Sequence, residues 1–328
     1  MKAIIPAAGV GTRLRPITNT TPKALVQVGD KPIIGHILER VIGLGIKDIV
    51  IVVGYLGDMI KDYVGANFKG ASFEYVHQRE LLGLGHAIWM CGELIPSDGG
   101  LFIIYGDTIV EGDMEAMFDA AGDGTLGVKT VPDPERFGIV ELDGDKIKRA
   151  VEKPEKFMGD TALIGVNYFR SAGKLFDALN YVVENDIRTR GEIQITDAFQ
   201  IMIERGADLR AFWVDEWFDC GKPQTLLSTN RHILERLAHS PAGENCVFIP
   251  PVFVAPDAKV SNSIVGPNVT IASGASVERC ILSNTIVNPE AHLTGYMLQD
   301  SLIGYQAVVS QSARSLVLGD YTNIESVV

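Results

Sequence analysis

Long apolar runs are missing from this chain. The most hydrophobic stretch, DIVIVVGYLGDMI from Asp48 to Ile60, is broken by glycine and aspartate. A bilayer needs about 20 consecutive apolar residues, so no membrane-spanning segment is expected. Cysteine is scarce: Cys91, Cys220, Cys246 and Cys280 stand far apart. That spacing offers neither a zinc ligand set nor a disulfide framework, and it suits a reducing cytoplasm. A secretory leader is not expected either, because Arg13 and Arg15 follow the first apolar residues at once and no small-residue cleavage site stands out. Positive charge is in deficit, with 29 Lys and Arg against 41 Asp and Glu and a net charge of −12. This argues against nucleic acid and anionic membrane as partners. Two common phosphate-binding fingerprints, G-x-G-x-x-G and G-x-x-x-x-G-K-[ST], are absent as well.

What is present is enough for two domains: 328 residues, 46% hydrophobic and 21% charged. In the first third, buried strand patterns (KAIIPAA, KDIVIVV, SFEYVHQ, GLFIIYGD) alternate with helical ones (PIIGHILERVIGLG, LGDMIKDYVGA, GLGHAIWMCGEL). The alternation predicts an α/β fold with a parallel sheet and ligands beyond the carboxyl ends of its strands. Three segments follow those ends and are expected to be site loops: AGVGTRLRP, HQRELLGLG and GDTIVEG. From about residue 125 the patterns predict a mixed sheet, with a hairpin turn at Asp143-Gly144, two helices near 172–184 and 194–205, and a last helix ending near residue 237.

After His239 a linker-like stretch leads into a region without helical periodicity. Aliphatic residues recur there at intervals of six: Val265, Ile271, Val277; then Val287, Leu293; then Ile303, Val309. A hexapeptide period predicts a short left-handed parallel β-helix with room for about three coils. So short a stack would leave its last coil exposed. Capping by the preceding domain or by another copy is therefore expected, and a homo-oligomer with it. The expected domains are 1–239 and 240–328.

Although the chain is acidic, residues 1–31 carry Lys2, Arg13, Arg15, Lys23 and Lys31 against Asp30 alone. A basic, glycine-bearing loop directly after a strand points to a small anionic ligand. Asp107 closes the buried run in FIIYGD, where an unpartnered carboxylate would be costly. Magnesium is its natural partner, since that ion takes hard oxygen ligands and bridges phosphates.

The opening stretch resembles the signature of the sugar-1-phosphate nucleotidyltransferases, which Ala8, Gly9, Gly11, Thr12, Arg13, Leu14, Pro16, Thr18, Pro22 and Lys23 match. Gln78 with GLGHA, YGD, RFGIVE, VEKP, RGEIQITDA and WFDCGKP follow in order, so the resemblance covers residues 1 to about 236. The last two motifs and the coil-like tail look most like the long form of glucose-1-phosphate thymidylyltransferase and its relatives that use UTP. The resemblance implies a Rossmann-like nucleotidyltransferase domain with a mixed sheet. It also implies a reaction in which a sugar-1-phosphate oxygen attacks the α-phosphorus of a nucleoside triphosphate and pyrophosphate leaves.

By the same resemblance Arg13, Lys23 and Asp107 are catalytic, and Asp107 and Asp219 hold Mg2+. Ala7, Ala8, Gly9, Gly11, Thr12, Gln78 and Gly83 bind the nucleotide, and Gly138, Glu152 and Lys153 bind the sugar phosphate. Glycines let the backbone approach phosphates, and an arginine can grip pyrophosphate in a bidentate fork. Arg15 reads equally well as a surface charge. The Gln78 amide, with one donor and one acceptor face, suits uracil or thymine. One methyl separates those bases and is worth only about 1–3 kcal/mol, so dTTP and UTP both stay open. Cys220 reads as packing, because this reaction needs no covalent intermediate. Two alternatives are a catalytically weak sugar-nucleotide-binding regulatory or scaffold subunit and a uridylyltransferase for GlcNAc-1-phosphate. For an added acetyl-transfer activity the tail is short and His292 stands alone.

Overall fold

The computed structural model describes residues 1–311, which form two compact units divided between Arg236 and Leu237. The part of the expected coil region beyond residue 311 lies outside the described residues. No helix among them is long and apolar enough to cross a membrane.

The first unit is built on one nine-stranded mixed sheet. Its strands are β1 (Lys2–Pro6), β2 (Asp48–Val53), β3 (Ser72–His77), β4 (Leu101–Ile104), β6 (Gly124–Thr130), β7 (Gly138–Asp143), β8 (Lys146–Glu152), β9 (Thr161–Phe169) and β10 (Leu209–Trp213). A separate two-stranded ribbon is formed by β5 (Thr108–Glu111) and β11 (Glu216–Asp219). The sheet order is β3-β2-β1-β4-β9-β6-β10-β8-β7. β1 runs parallel to β2 and β4, and β2 parallel to β3, as the alternating patterns predict. Ala3, Ile4 and Ile5 of β1 are fully buried, because helices cover a parallel sheet on both faces and such strands are apolar throughout. Helix α1 (Ile33–Gly43) seats Ile33, Ile34, Ile37, Leu38 and Val41 in the core, a stripe at helical spacing. Each such side chain contributes about 1.5–3 kcal/mol on burial. Beyond β4 the sheet turns mixed, with β9 antiparallel to both β4 and β6. The Asp143-Gly144 turn joins β7 to β8, with Gly144 at φ 64°. The remaining helices are α2 (Gly57–Asn67), α3 (Leu84–Trp89), the single turn α4 (Ala116–Asp119), α5 (Gly173–Glu184), α6 (Ile195–Glu204) and α7 (Pro223–Arg236).

One expectation fails here. GDTIVEG is not a loop: its centre is β5, paired antiparallel with β11 so that Thr108 faces Asp219 and Glu111 faces Glu216. Ile109 and Val110 are only 6% and 5% exposed, so the segment has an apolar surface to bury and a strand is the better solution.

The second unit winds through three parallel four-stranded sheets, visiting each once per turn. Val247, Ile264, Ile281 and Met297 mark one register column, so a turn takes 17 or 16 residues. There are four turns among the described residues, not about three, and the inward aliphatics are not strictly six apart. Leu282 and Leu298 follow Val277 and Leu293 by five, and a pure hexapeptide count passes over them. The chain turns its corners on left-handed residues, among them Asn245, Asn262, Asn268 and Asn284. Asparagine tolerates that conformation best after glycine. Stacked corners also bond along the coil, with Asn245 Nδ2 donating to Asn262 Oδ1 at 2.8 Å and Asn284 Nδ2 to Asp300 Oδ1 at 2.5 Å.

Candidate active site

The site lies where the central strands of the first unit end. β1 stops at Pro6, whose carbonyl accepts a hydrogen bond from Gly106 N at 3.0 Å. That bond ties the opening loop to the turn after β4. Gly11 has φ 66° and precedes the short turn Thr12–Leu14. A Cβ there would lie 3.0 Å from both Lys23 Cβ and Thr18 Cγ2, so glycine is required by conformation and by space. Thr18 Oγ1 donates to Gly11 O at 2.7 Å and fixes the loop from behind.

Lys23 extends from a second short turn, Lys23–Leu25, and its Nζ donates to Asp107 Oδ2 at 2.5 Å. Among the described residues Asp107 Oδ1 accepts no hydrogen bond from a side chain. The Asp107 carbonyl accepts from Cys220 N at 3.1 Å, and Thr108 pairs with Asp219 across the ribbon. Both carboxylates stand at this end of the ribbon, Asp107 one residue before β5 and Asp219 as the last residue of β11. Arg136 Nη2 is 3.9 Å from Asp219 Oδ2 and also pairs with Asp133. A Cβ at Gly221 would lie 2.6 Å from Asp219 Oδ1 and 3.0 Å from Arg13 Nη2, which places the Arg13 guanidinium beside that carboxylate. Two carboxylates at one end of a ribbon form a hard donor set that suits a small divalent cation able to keep water and phosphate ligands.

Two cavities meet at this point. One, of about 400 Å³, is lined by Ala7, Ala8, Gly9, Gly11, Thr12, Lys23, Gln78 and Gly83. The other, of about 410 Å³, is lined by Arg13, Gly138, Glu152, Lys153 and Asp219. Asp107, Tyr105 and Leu84 line both. The residues that the resemblance assigned to catalysis, nucleotide, sugar phosphate and metal therefore all line one of two cavities that share a wall; Arg15 lines neither, and Arg13 stands on the second wall rather than among the glycines. In the first cavity Gln78 is 5% exposed and donates through Nε2 to Gly83 O at 3.1 Å. In the second, Glu152 Oε2 accepts from Thr196 Oγ1 at 2.8 Å, and Lys153 Nζ is 3.3 Å from Glu152 Oε1.

Sequence reasoning missed Tyr105, Arg136 and Thr196. Tyr105 is partly buried, and desolvation of its phenol pushes the pKa up, so it stays protonated. Arg136 and Thr196 lie inside recognised motifs, but only their distances to Asp219 and Glu152 mark them. Burial pushes the Cys220 thiol up to about 12, so at neutral pH it is no nucleophile. Away from the cleft, Glu111, Glu216 and His232 bring three ligand atoms within 4.8 Å of one another. Arg236 already fills the cation role there, with Nε 3.4 Å from Glu111 and Nη2 3.4 Å from Glu216.

Comparison with known proteins shows what the chain is similar to. Residues 2–236 match the family model described as nucleotidyl transferase. The chain is 32% identical to a glucose-1-phosphate thymidylyltransferase of Streptomyces antibioticus, with 99% of each chain covered. It is 32% identical to the UTP–glucose-1-phosphate uridylyltransferase AglF of Haloferax volcanii, over 68% of this chain and 93% of that one. Among solved structures, UDP-glucose pyrophosphorylase complexed with UDP-glucose superposes with a TM-score of 0.62 at 25% identity, over 72% of this chain and 99% of that one.

Proposed function

The chain belongs to the nucleotidyl transferase family, and from that premise we propose that it joins glucose-1-phosphate to dTTP or UTP and releases pyrophosphate. The observation that carries this reading is the meeting of two cavities at Asp107. A transfer between two phosphorylated substrates needs two pockets that share one charged junction.

In this reading the triphosphate lies along the backbone of Ala7, Ala8, Gly9, Gly11 and Thr12, with the base at Gln78 and Gly83. The sugar phosphate lies against Gly138, Glu152 and Lys153. An oxygen of the sugar phosphate forms a bond to the α-phosphorus, and the bond from that phosphorus to the bridging oxygen of the β-phosphate breaks. Both reactants are anions, so catalysis is positioning and charge neutralisation. Lys23 leaves Asp107 to face the α-phosphate. Arg13, beside Asp219, takes charge developing on the leaving pyrophosphate. Asp107 and Asp219 would hold Mg2+, which neutralises phosphate charge when bound. No observation favours the regulatory-subunit alternative, because Arg13, Lys23 and Asp107 are all present in the cleft.

We also read the chain as a catalytic domain of residues 1–239 followed by a second domain of residues 240–328, whose described part is a left-handed parallel β-helix, and the protein as a cytoplasmic homo-oligomer. Three parallel sheets visited in rotation support the helix. Light scattering tests the oligomer. A grid of nucleoside triphosphates against sugar-1-phosphates, followed by chromatography of the sugar nucleotides formed, tests the activity. Products from glucose-1-phosphate with dTTP or UTP are expected. A product only from another sugar or a purine nucleotide overturns the assignment.

A further inference from the structure

Gln78 follows β3 and contributes its amide to the wall of the first cavity. A glutamine amide has two N–H donors and one acceptor oxygen. Both donors are engaged within the protein. Nε2 faces Gly83 O at 3.1 Å, and a carbonyl oxygen can only accept, so the amino end of the amide must point that way. Nε2 also faces His86 Nδ1 at 3.2 Å. His86 stands in α3, where desolvation lowers its pKa and favours the neutral ring whose Nδ1 accepts. Among the described residues Gln78 Oε1 accepts no hydrogen bond.

We propose that His86 is a positioning residue for base selection: with Gly83 O it holds the Gln78 amide so that Oε1 is a fixed acceptor for the N3–H of uracil or thymine. Cytosine carries a lone pair at N3 and meets that oxygen with repulsion. The inference rests on the nucleotide reading of the first cavity. It also revises the expectation that Gln78 offers the base both a donor and an acceptor, since no donor is left. The lock rejects CTP and is blind to the methyl that separates dTTP from UTP.

The test compares UTP with CTP in wild type and in the variants His86→Phe, His86→Asn and Gln78→Leu. Readouts are the kcat/KM ratio with glucose-1-phosphate and the ratio of binding constants from calorimetry. Phenylalanine keeps the ring and removes the acceptor. One neutral hydrogen bond is lost, so the UTP:CTP ratio should fall roughly three- to tenfold. Asparagine sets Oδ1 near the place of Nδ1 and should keep the ratio within about twofold of wild type. If thermal melting shows that His86→Phe does not fold, His86→Leu is measured in its place. An unchanged ratio in the variant lacking the acceptor, with a reduced one in Gln78→Leu, overturns the role of His86. Equal losses in His86→Asn and His86→Phe overturn it as well. An unchanged ratio in Gln78→Leu overturns the reading of Gln78 as the base contact, and the present proposal with it.

Discussion

Lys23 and Asp107 meet at 2.5 Å, and that contact condenses the site at the scale of single residues. The cleft residues were legible wherever a short motif holds them together: the glycines, Arg13 and Lys23 belong to one opening stretch of sequence, and Asp107 lies in the turn after β4. Thr196 was not legible, because its hydroxyl meets Glu152 across 44 positions of chain. Arg136 was hidden for the same reason, as its link to Asp219 exists only in three dimensions. Cys220, by contrast, sits inside a site motif without taking part. Cys220→Ala should keep kcat within about threefold, at a cost of roughly 1 kcal/mol in stability for the lost packing. Its pKa gives a signed expectation. Burial pushes the folded thiol up to about 12 from its ordinary value of 9.0. The stability it contributes is therefore complete below pH 9 and is lost as pH rises from there toward 12. Urea midpoints measured between pH 8 and 11 should fall less steeply in Cys220→Ala than in wild type. Identical slopes would show that the thiol is not held protonated by the fold.

At the scale of elements, the β5–β11 ribbon organises the chemistry. Its near end presents Asp107 and Asp219; its far end is closed by His232 and Arg236 against Glu111 and Glu216. His232 Nε2 is 3.0 Å from Glu111 and 3.2 Å from Glu216, and Arg236 Nη1 is 2.7 Å from His232 Nδ1. His232→Phe keeps the ring that packs 4.1 Å from Phe218 but removes the central donor and leaves two carboxylates facing each other. A loss of about 1–2 kcal/mol is expected in chemical denaturation, and kcat should fall several-fold as the near end loosens. Unchanged kcat with lowered stability would separate the clamp from the end that carries Asp107 and Asp219. The ribbon escaped the sequence because each strand has only four residues and is flanked by Gly and Asp, which read as turn. The long helices and β1 to β3 were legible because their apolar pattern runs over enough residues to exclude alternatives, and β4 because all four of its residues are apolar.

Across the whole molecule, two units solve the burial problem differently. The first unit stacks helices on a sheet, and the second stacks short strands whose aliphatic residues fill the interior of a coil. The coil region was recognisable from its six-residue intervals, but the number of turns was not, because five-residue steps break the count at Leu282 and Leu298. Leu282 is fully buried. Leu282→Asp places an unpartnered charge in that interior and should cost more than about 3 kcal/mol. Calorimetry should then show an early transition for the second unit, whereas a single unshifted transition would mean that the coil interior tolerates charge. The central claim concerns the first unit, and one measurement tests it most directly: pyrophosphate release from glucose-1-phosphate with UTP or dTTP in magnesium buffer, by wild type and by folded Asp107→Ala. The account predicts turnover by wild type and a loss of at least about 100-fold in the variant. Release by the variant at the wild-type rate, or none from wild type with either nucleotide, would contradict it.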